Sequence, residues 1–356
     1  MKIITVIGTR PELIRLSILI KKLDKIVDHV FVYTNQNYDY NLSGVFFEEL
    51  GIRKPDYYFT NKGYSIGNFL ANAILQFEEV ILKENPDKML VLGDTNSGLL
   101  SLIAEKYKIP VYHMEAGNRC YDERLPEEMN RKLIDHLSKY NLPYTENSKQ
   151  NLLNEGYHKN FVFKTGNPIF EVLTQNHNNI ENSDILQKLN LKRQDYVLVT
   201  FHRSENVDKM GNLINIIGAL NVISENNKVV VSLHPRTRSK LDDTNFSLNE
   251  NIMVLEPMGF YDFVKLEKNA TCVISDSGTV QEECCIFGVP ALTIRKTTER
   301  QETIECGSNI LCGTKTEDIV NAFNITTQRK NNWSVPDDYM VGNVSDTVIN
   351  ILIGKV

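Results

Sequence analysis

Acidic side chains follow the ends of predicted strands in the N-terminal half of the chain. Asp94 ends "VLGD", Glu115 ends "VYHME", and Glu127 lies in the first turn of a helix predicted to start at Pro126. Neighbouring carboxylates raise one another's pKa, so one can act as a general acid while another stays an ionised base. Two structural alternatives remain open, since Asp94 suits a helix N-cap and Glu128 suits the positive end of the helix dipole.

Basic side chains occupy comparable positions. Arg10 and Arg15 belong to "GTRPELIR", directly after the first predicted strand, where a helix N-terminus and two guanidinium groups can bind an anion. His202 is followed by arginine at the end of "VLVTFHR", a pairing that favours phosphate over a structural role. "SLHPR" repeats this pattern with His234 and Arg236, and for it the two interpretations are equally supported.

The segment "SDSGTVQEE" is the strongest local signal. Backbone amides of Ser277, Gly278 and Thr279, between a strand and a helix, can cradle a diphosphate, and Glu282 or Glu283 can bind ribose hydroxyls. An ordinary N-cap is the alternative. No GxGxxG follows the first strand and no Walker lysine motif is present, which disfavours a dinucleotide or phosphoryl transfer. A nucleotide on the second half and carboxylates on the first suit a nucleotide-sugar.

The elements that position these residues alternate between β-branched strands and amphipathic helices, from "IITVIG" to "VPALTIR". This rhythm predicts parallel sheets covered by helices, and it restarts after about residue 190. A polar stretch places the domain boundary near residue 170. The fold class is therefore α/β with two Rossmann-like domains, and ligands are expected beyond the carboxyl ends of the strands, in the cleft between the domains.

Composition excludes several classes of protein. The 356 residues are 42% hydrophobic and carry a net charge of −6, which argues against nucleic-acid and membrane-surface partners. No apolar run is long enough to span a bilayer, and no signal peptide is evident. The six cysteines lack CxxC spacing, so we expect no metal site and reduced thiols in the cytoplasm.

Taken together, the motifs resemble the non-hydrolysing UDP-N-acetylglucosamine 2-epimerases along nearly the whole chain. The resemblance is carried by "GTRPE", "LGDTNS", "HMEAGNR", "PEEMNR", "FHRSEN" and "SDSGTVQEE…TTER". It implies a fold of the glycosyltransferase-B type with the active site in the interdomain cleft. The domains would be residues 1–170 and 171–341, with a C-terminal helix at about 342–356 packed back on the first. The resemblance also implies a homodimer that needs no cofactor and no metal.

The chemistry implied by the resemblance is anti elimination of UDP across C1–C2, which gives a 2-acetamidoglycal, followed by re-addition of UDP after reprotonation at C2. Asp94, Glu115 and Glu127 would be the acid/base groups, while Arg10, Arg15 and His202 would stabilise the departing diphosphate. The residues that would hold the uridine and the phosphates are Phe263, Ser277, Gly278, Thr279 and Glu283.

The common members of the family carry "QHREML" after the second strand, where this chain has "QNYDYNLSGVFFEEL". "QNYDY", "MEAGNRCYD" and "NLPYTE" resemble the branch that makes UDP-N-acetyl-L-fucosamine for capsule and O-antigen. Its substrate is UDP-2-acetamido-2,6-dideoxy-L-talose. The alternatives are an ordinary UDP-N-acetylglucosamine 2-epimerase that gives UDP-N-acetylmannosamine, a glycosyltransferase of the same fold, and a non-catalytic nucleotide-sugar sensor.

Overall fold

The computed structural model describes residues 1–35, 40–60, 65–233, 235–242 and 247–354. Residues 36–39 of "QNYDY" and His234 lie outside the described residues, as does the side chain of Arg236. The chain divides into two compact units. Unit 1 comprises Met1–Thr174 and Asp337–Val356, and unit 2 comprises Gln175–Pro336. Both limits fall within a few residues of positions 170 and 341, where the sequence placed them.

Unit 1 is built on a six-stranded sheet in the order β3-β2-β1-β4-β5-β6, and each strand pairs parallel to its neighbours. Its strands are β1 (Lys2–Ile7), β2 (Asp28–Tyr33), β3 (Tyr57–Tyr58), β4 (Lys88–Leu92), β5 (Val111–Met114) and β6 (Tyr140–Leu142). Its first seven helices are α1 (Arg10–Ile26), α2 (Tyr40–Glu49), α3 (Ile66–Glu84), α4 (Ser101–Lys106), α5 (Pro126–Leu137), α6 (Glu146–Asn154) and α7 (Ile169–Gln175), which reaches one residue past the unit. Short 3-10 turns occupy Asn96–Leu100, Lys159–Phe161 and Asp337–Tyr339.

Unit 2 repeats the design with the strand order β12-β11-β10-β7-β8-β9, also parallel. Its strands are β7 (Val197–Phe201), β8 (Val229–Leu233), β9 (Ile252–Leu255), β10 (Cys272–Ser275), β11 (Ala291–Thr293) and β12 (Asn309–Leu311). Its helices are α8 (His177–Asn182), α9 (Ile185–Lys188), α10 (Ser204–Val207), α11 (Met210–Ser224), α12 (Pro235–Asp242), α13 (Phe260–Asn269), α14 (Gly278–Phe287), α15 (Gln301–Glu305) and α16 (Thr316–Gln328). Helix α17 (Val344–Ile353) then returns to unit 1.

Both sheets have the strand order of a doubly wound Rossmann fold, so the predicted fold class is confirmed. The order reverses between β1 and β4 in unit 1 and between β7 and β10 in unit 2. At such a switch point the loops after the two central strands diverge to opposite faces of the sheet and leave a crevice, where ligands of this fold class bind. Each unit therefore has one switch point, and the side chains that follow those four strands decide its chemistry.

Burial explains why these segments fold as parallel strands. The central strands carry nearly continuous apolar runs, such as "VVVSL" in β8, in which every residue is buried. Helices cover both faces of such sheets, so an alternating pattern is not needed. In unit 2 separate buried clusters include Val199 and Leu198, adjacent residues of β7 that point to opposite faces. Among the described residues, no helix is long and apolar enough to cross a membrane.

Candidate active site

The switch point of unit 1 brings Glu115 beside the turn that carries Asp94. Strands β4 and β5 are neighbours in register, with Leu92 opposite Met114. Glu115 directly follows Met114, and Asp94 follows Leu92 after Gly93. The position that a Cβ would occupy on Gly93 lies 3.8 Å from Glu115 Oε2. The two strand-end carboxylates thus belong to one local surface at the carboxyl edge of the sheet.

Glu115 is the most constrained of the predicted catalytic residues. Its side chain is buried and forms an ion pair with Arg15, which is itself buried on α1. Asn118 Nδ2 donates a hydrogen bond to Glu115 Oε1 at 3.1 Å. The backbone of Glu115 has a φ of +66°, a left-handed conformation that is unfavourable for a residue with a side chain. Strained backbone of this kind persists where the surroundings fix it, and it clusters at functional sites.

Asp94 is held by helix α5 from two directions. Arg131 forms an ion pair with the Asp94 carboxylate, and Asn130 Nδ2 donates to the Asp94 carbonyl oxygen at 3.0 Å. Thr95, rather than Asp94, takes the N-cap position of the turn that follows. The N-cap alternative for Asp94 is therefore wrong, because the carboxylate faces Arg131 instead of helical amides. About a quarter of the Asp94 side chain is exposed, so a ligand can reach it.

Glu127 and Glu128 start α5 but have different environments. Glu127 is half-buried, and no hydrogen bond or ion pair joins it to any other residue within the described ranges. Glu128 is buried, pairs with Arg131 at 2.9 Å, and accepts hydrogen bonds from the amides of Cys120 and Tyr121. Glu128 thus holds the loop that leads from Glu115 back to α5. The interpretation of Glu128 as a charge that complements the helix dipole did not predict this role.

Arg10 and Glu12 lie at the first turn of α1, after β1. The Arg10 guanidinium is 5.6 Å from the centre of the Phe46 ring, and Arg10 is half-buried. Glu12 is almost completely buried and accepts hydrogen bonds from the amides of Gly8 and Thr9. Burial raises the pKa of Glu12 to about 7 although these hydrogen bonds oppose the shift. Sequence reasoning missed Glu12, although the Thr-x-x-Glu spacing is the signature of a capping box.

A buried network of hydrogen bonds and ion pairs supports the carboxyl ends of β4 and β5. His113 Nδ1 is 2.8 Å from Asp135 Oδ1, and His113 Nε2 is 2.9 Å from the carbonyl oxygen of Gly93. Asp135 also pairs with Arg119 at 2.7 Å and accepts from the Gly117 amide. His113 therefore ties β5 to the turn before Asp94. Its partners lie about 20 residues away along the chain, and nothing in the local sequence marks them.

The switch point of unit 2 is organised by Asp276, which follows β10 and is fully buried. Its carboxylate accepts hydrogen bonds from the amides of His202 at 3.2 Å and Arg203 at 3.0 Å, and from Asn206 Nδ2 at 2.9 Å. His202 Nδ1 lies 3.6 Å from Asp276 Oδ1, and about half of the His202 side chain is exposed. Asp276 thus fixes the loop after β7 and presents the His202 ring to solvent.

Ser277, Gly278 and Thr279 form the start of α14 at the same switch point, and all three are half-buried. Ser277 occupies the N-cap position, but its side chain makes no capping hydrogen bond. A Cβ on Gly278 would lie 2.9 Å from Glu299 Oε1, so a larger residue here would require the Glu299 side chain to shift. The first amides of α14 lie at the end of a helix, where anions are stabilised.

The remaining predicted nucleotide-binding residues are more enclosed. Glu283 is buried on α14. Burial raises the pKa of Glu267 on α13 well above its ordinary value, and the neighbouring Glu283 carboxyl group raises it further. Glu282 is paired with Arg300 at 2.5 Å. Phe263 is half-buried and packs against the apolar cluster beneath α13.

No group of three or more His, Cys, Asp or Glu side chains that could hold a metal ion occurs in the part of the chain that the structure describes. All six cysteines are free thiols.

Comparisons with known proteins extend over the full chain. The family model described as UDP-N-acetylglucosamine 2-epimerase matches residues 21–353. The UDP-N-acetylglucosamine 2-epimerase of Methanocaldococcus jannaschii is 41% identical, and the match covers 99% of each chain. The UDP-2,3-diacetamido-2,3-dideoxy-D-glucuronate 2-epimerase of Pseudomonas aeruginosa is 37% identical over 90% of each chain. The crystal structure of the M. jannaschii enzyme in complex with UDP-GlcNAc and UDP has a TM-score of 0.94, with 40% identity and 99% coverage of each chain.

Proposed function

Because the chain belongs to the UDP-N-acetylglucosamine 2-epimerase family, we propose that it inverts C2 of a UDP-2-acetamido sugar by eliminating and re-adding UDP. It is a UDP-sugar 2-epimerase, an isomerase that acts on the carbohydrate part of a nucleotide-sugar. Three features of the molecule support the mechanism: the strand-end carboxylates of unit 1, the cations beside them, and the start of α14 in unit 2.

The observation that carries the proposal is the buried Arg15–Glu115 pair beside the Asp94 turn, together with Glu127 in the first turn of α5. Glu115 combines a buried carboxylate, which pairs with an arginine, with a strained backbone conformation. Such an arrangement costs folding free energy, and it is typical of catalytic groups. Glu127 has no partner among the described residues and is therefore available to a ligand. Two carboxylates in different environments suit a reaction that needs both a base and an acid.

In the first step a carboxylate removes the C2 proton while the C1–O bond breaks and its electron pair leaves with UDP. The product is a 2-acetamidoglycal with a C1–C2 double bond. In the second step a carboxylic acid delivers a proton to the opposite face of C2, and a UDP oxygen attacks C1. Positioned acid–base groups contribute roughly 10²–10⁴-fold to such steps. We assign these proton transfers to Asp94, Glu115 and Glu127.

Departure of UDP leaves negative charge on a phosphate oxygen, which fixed donors must stabilise. The proposal gives this task to Arg10, Arg15 and His202. The first amides of α14, at Ser277 to Thr279, would bind the diphosphate, while Phe263 and Glu283 would contact the uridine. Because Asp276 accepts hydrogen bonds from the amides of His202 and Arg203, the backbone that carries the imidazole is held in place.

For the sugar, we propose UDP-2-acetamido-2,6-dideoxy-L-talose, which gives UDP-N-acetyl-L-fucosamine. The proposal rests on the "MEAGNRCYD", "NLPYTE" and "QNYDY" segments. The first two lie side by side, since the amide of Glu115 donates to Leu142 O at 3.2 Å. The first segment also packs against α6, where Asn151 Nδ2 donates to Gly117 O at 3.0 Å and a Cβ on Gly117 would lie 2.2 Å from Ser148 O. By the same resemblance, we infer a homodimer whose product enters capsule or O-antigen.

UDP-N-acetylglucosamine is the second candidate substrate, and it is favoured by the 41% identity to the M. jannaschii enzyme of that name. The P. aeruginosa relative, at 37%, is named for a different sugar. Relatives at similar identity thus carry names for different sugars, so overall identity does not decide between the two candidates.

The test incubates the pure protein with each sugar nucleotide in heavy water and follows C2 by NMR. We expect the wild-type protein to convert the 6-deoxy-talo compound to its epimer with deuterium at C2. Glu115→Gln and Asp94→Asn should each reduce the rate of this conversion at least 100-fold, while their affinity for UDP stays within severalfold of the wild type. Glu123→Gln is the matched control, because Glu123 is exposed in the same loop, and it should retain full activity.

Turnover of UDP-N-acetylglucosamine alone would overturn the choice of sugar but leave the epimerase assignment intact. The absence of C2 deuterium with either compound would overturn epimerisation itself. A large loss of UDP binding in Glu115→Gln or Asp94→Asn would reassign that residue from chemistry to structure.

A further inference from the structure

One buried carboxylate, Glu12, joins the two loops of the unit 1 switch point. Its Oε2 accepts hydrogen bonds from the Gly8 amide at 3.0 Å, the Thr9 amide at 2.7 Å and the Thr9 hydroxyl at 2.7 Å. Its Oε1 accepts from the Thr95 hydroxyl at 2.9 Å. Thr9 lies in the loop after β1, and Thr95 lies in the loop after β4. Glu12 therefore hydrogen bonds to both central loops at once.

Helix capping accounts for the hydrogen bonds of only one of the two carboxylate oxygens of Glu12. Thr9 and Glu12 form a capping box at the start of α1, and that arrangement uses Oε2. The bond from Thr95 reaches Oε1 from 83 residues along the chain and contributes nothing to the cap. Glu12 is only 2% exposed, and burying a carboxyl group is costly unless its oxygens are satisfied. The second oxygen thus has a partner that helix α1 itself does not require.

The residues next to the two ends of this link are both in the proposed site. Thr9 precedes Arg10, the proposed diphosphate ligand, and Thr95 follows Asp94, a proposed acid/base group. The main chain at Asp94 is also held by Asn130. Glu12 and Asn130 therefore both restrain the short turn that carries the Asp94 carboxylate.

We propose that Glu12 is a positioning residue, which sets the distance between Arg10 and Asp94 through its hydrogen bond from Thr95. The inference rests on the proposed function, because it concerns the same reaction. Proton abstraction at C2 and departure of the diphosphate at C1 occur in one step, so the two groups must be placed together. A displacement of about 1 Å in such a site can cost on the order of 10² in rate.

Thr95 provides a way to break the link and leave the helix cap intact. Thr95→Val removes the hydroxyl in a nearly isosteric side chain, whereas Thr95→Ser keeps it. In both variants Glu12 keeps its three hydrogen bonds from Gly8 and Thr9, so Arg10 should stay in place. We expect kcat to fall 10- to 100-fold in Thr95→Val, with KM and the Kd for UDP changed less than threefold. Thr95→Ser should stay within threefold of the wild type.

Glu12→Gln removes the carboxylate charge of residue 12 but can keep its hydrogen bond with Thr95. Its amide oxygen can accept the bonds that Oε2 receives, and its NH₂ group can donate to the Thr95 hydroxyl. This variant should therefore lose much less kcat than Thr95→Val. Ser65→Ala is the control for general loss of stability, since Ser65 caps α3 in the same unit through its bond from the Asn68 amide and lies in no proposed site. Its kcat should match the wild type.

The positioning role would be overturned if Thr95→Val kept kcat within twofold of the wild type, or if Thr95→Ser lost as much as Thr95→Val. Equal losses in Glu12→Gln and Thr95→Val would overturn it as well. These results are distinct from a failure of the proposed function, in which the wild type itself would give no C2 deuterium from either sugar nucleotide.

Discussion

Replacing Asp276 with asparagine tests how the loop that carries His202 is held. The fully buried carboxylate accepts hydrogen bonds from two backbone amides and from Asn206 Nδ2. An asparagine oxygen in the place of Oδ2 can keep the bonds from Arg203 and Asn206, but without the charge. Bonds to charged groups contribute about 1.5–3 kcal/mol and neutral bonds about 0.5–1.5 kcal/mol, so each weakens by about 1 kcal/mol.

The third donor to residue 276, the amide of His202, lies 3.2 Å from both carboxylate oxygens. In Asp276→Asn it can keep its bond to the oxygen in the place of Oδ2, but the new NH₂ group removes its second acceptor, so this bond also weakens by about 1 kcal/mol. Together the three weakened bonds predict that unit 2 loses about 3 kcal/mol of unfolding free energy. For a unit of about 160 residues this corresponds to a drop in Tm of roughly 6–12 °C.

The single tryptophan makes this measurement selective. Trp333 belongs to unit 2, and its Nε1 donates to Cys285 O on α14 at 3.1 Å, so its fluorescence reports the unfolding of that unit. Urea titrations should show a lower midpoint with an unchanged slope. Asp195→Asn is the matched control, because its pair with Lys228 is at the surface and contributes under about 1 kcal/mol. If Asp276→Asn destabilised unit 2 no more than Asp195→Asn, the reasoning would be refuted.

Two further predictions follow from perturbed pKa values. Burial raises the pKa of Glu12 to about 7, above its ordinary value of 4.5, so between these pH values the folded chain binds the extra proton. Stability should therefore fall by about 3 kcal/mol as pH rises from 4.5 to 7, and Glu12→Gln, followed by denaturation of unit 1 across this range, should abolish that fall. A hydrogen bond from Cys285, with the sulfurs 3.7 Å apart, lowers the pKa of Cys306 to about 6. Iodoacetamide at pH 7 should then alkylate Cys306 first in peptide mass spectra, and labelling that began only above pH 9 would contradict this.

The fold could be predicted from the sequence because its central strands are long and apolar. Runs such as "KIITVI" and "VVVSL" are recognisable without any partner. The edge strands are different. Strand β3 has only two residues, and β6 and β12 have three each, too few to show a period. Their strand conformation depends on pairing with a neighbour that is already in place.

The sequence could point to candidate side chains near the ends of strands, such as Asp94, Glu115 and His202. It could not point to the residues that hold these side chains. Arg131 reaches Asp94 from 37 positions along the chain, and Asp276 reaches the His202 loop across 74. Local patterns describe a residue and its near neighbours, so contacts of this range appear only when the sheet is assembled.

The return of α17 to unit 1 has a consequence for synthesis on the ribosome. Lys22 of α1 bonds to Ser345 and Asp346 of α17, and Glu171 accepts from Ser345, yet all of unit 2 lies between these partners in the chain. The first 174 residues must therefore leave the exit tunnel with one side of α1 still uncovered. Unit 2, whose sequence is continuous, can fold before its companion is complete. A nascent chain stalled before residue 344 should be more vulnerable to protease within α1 than the released protein.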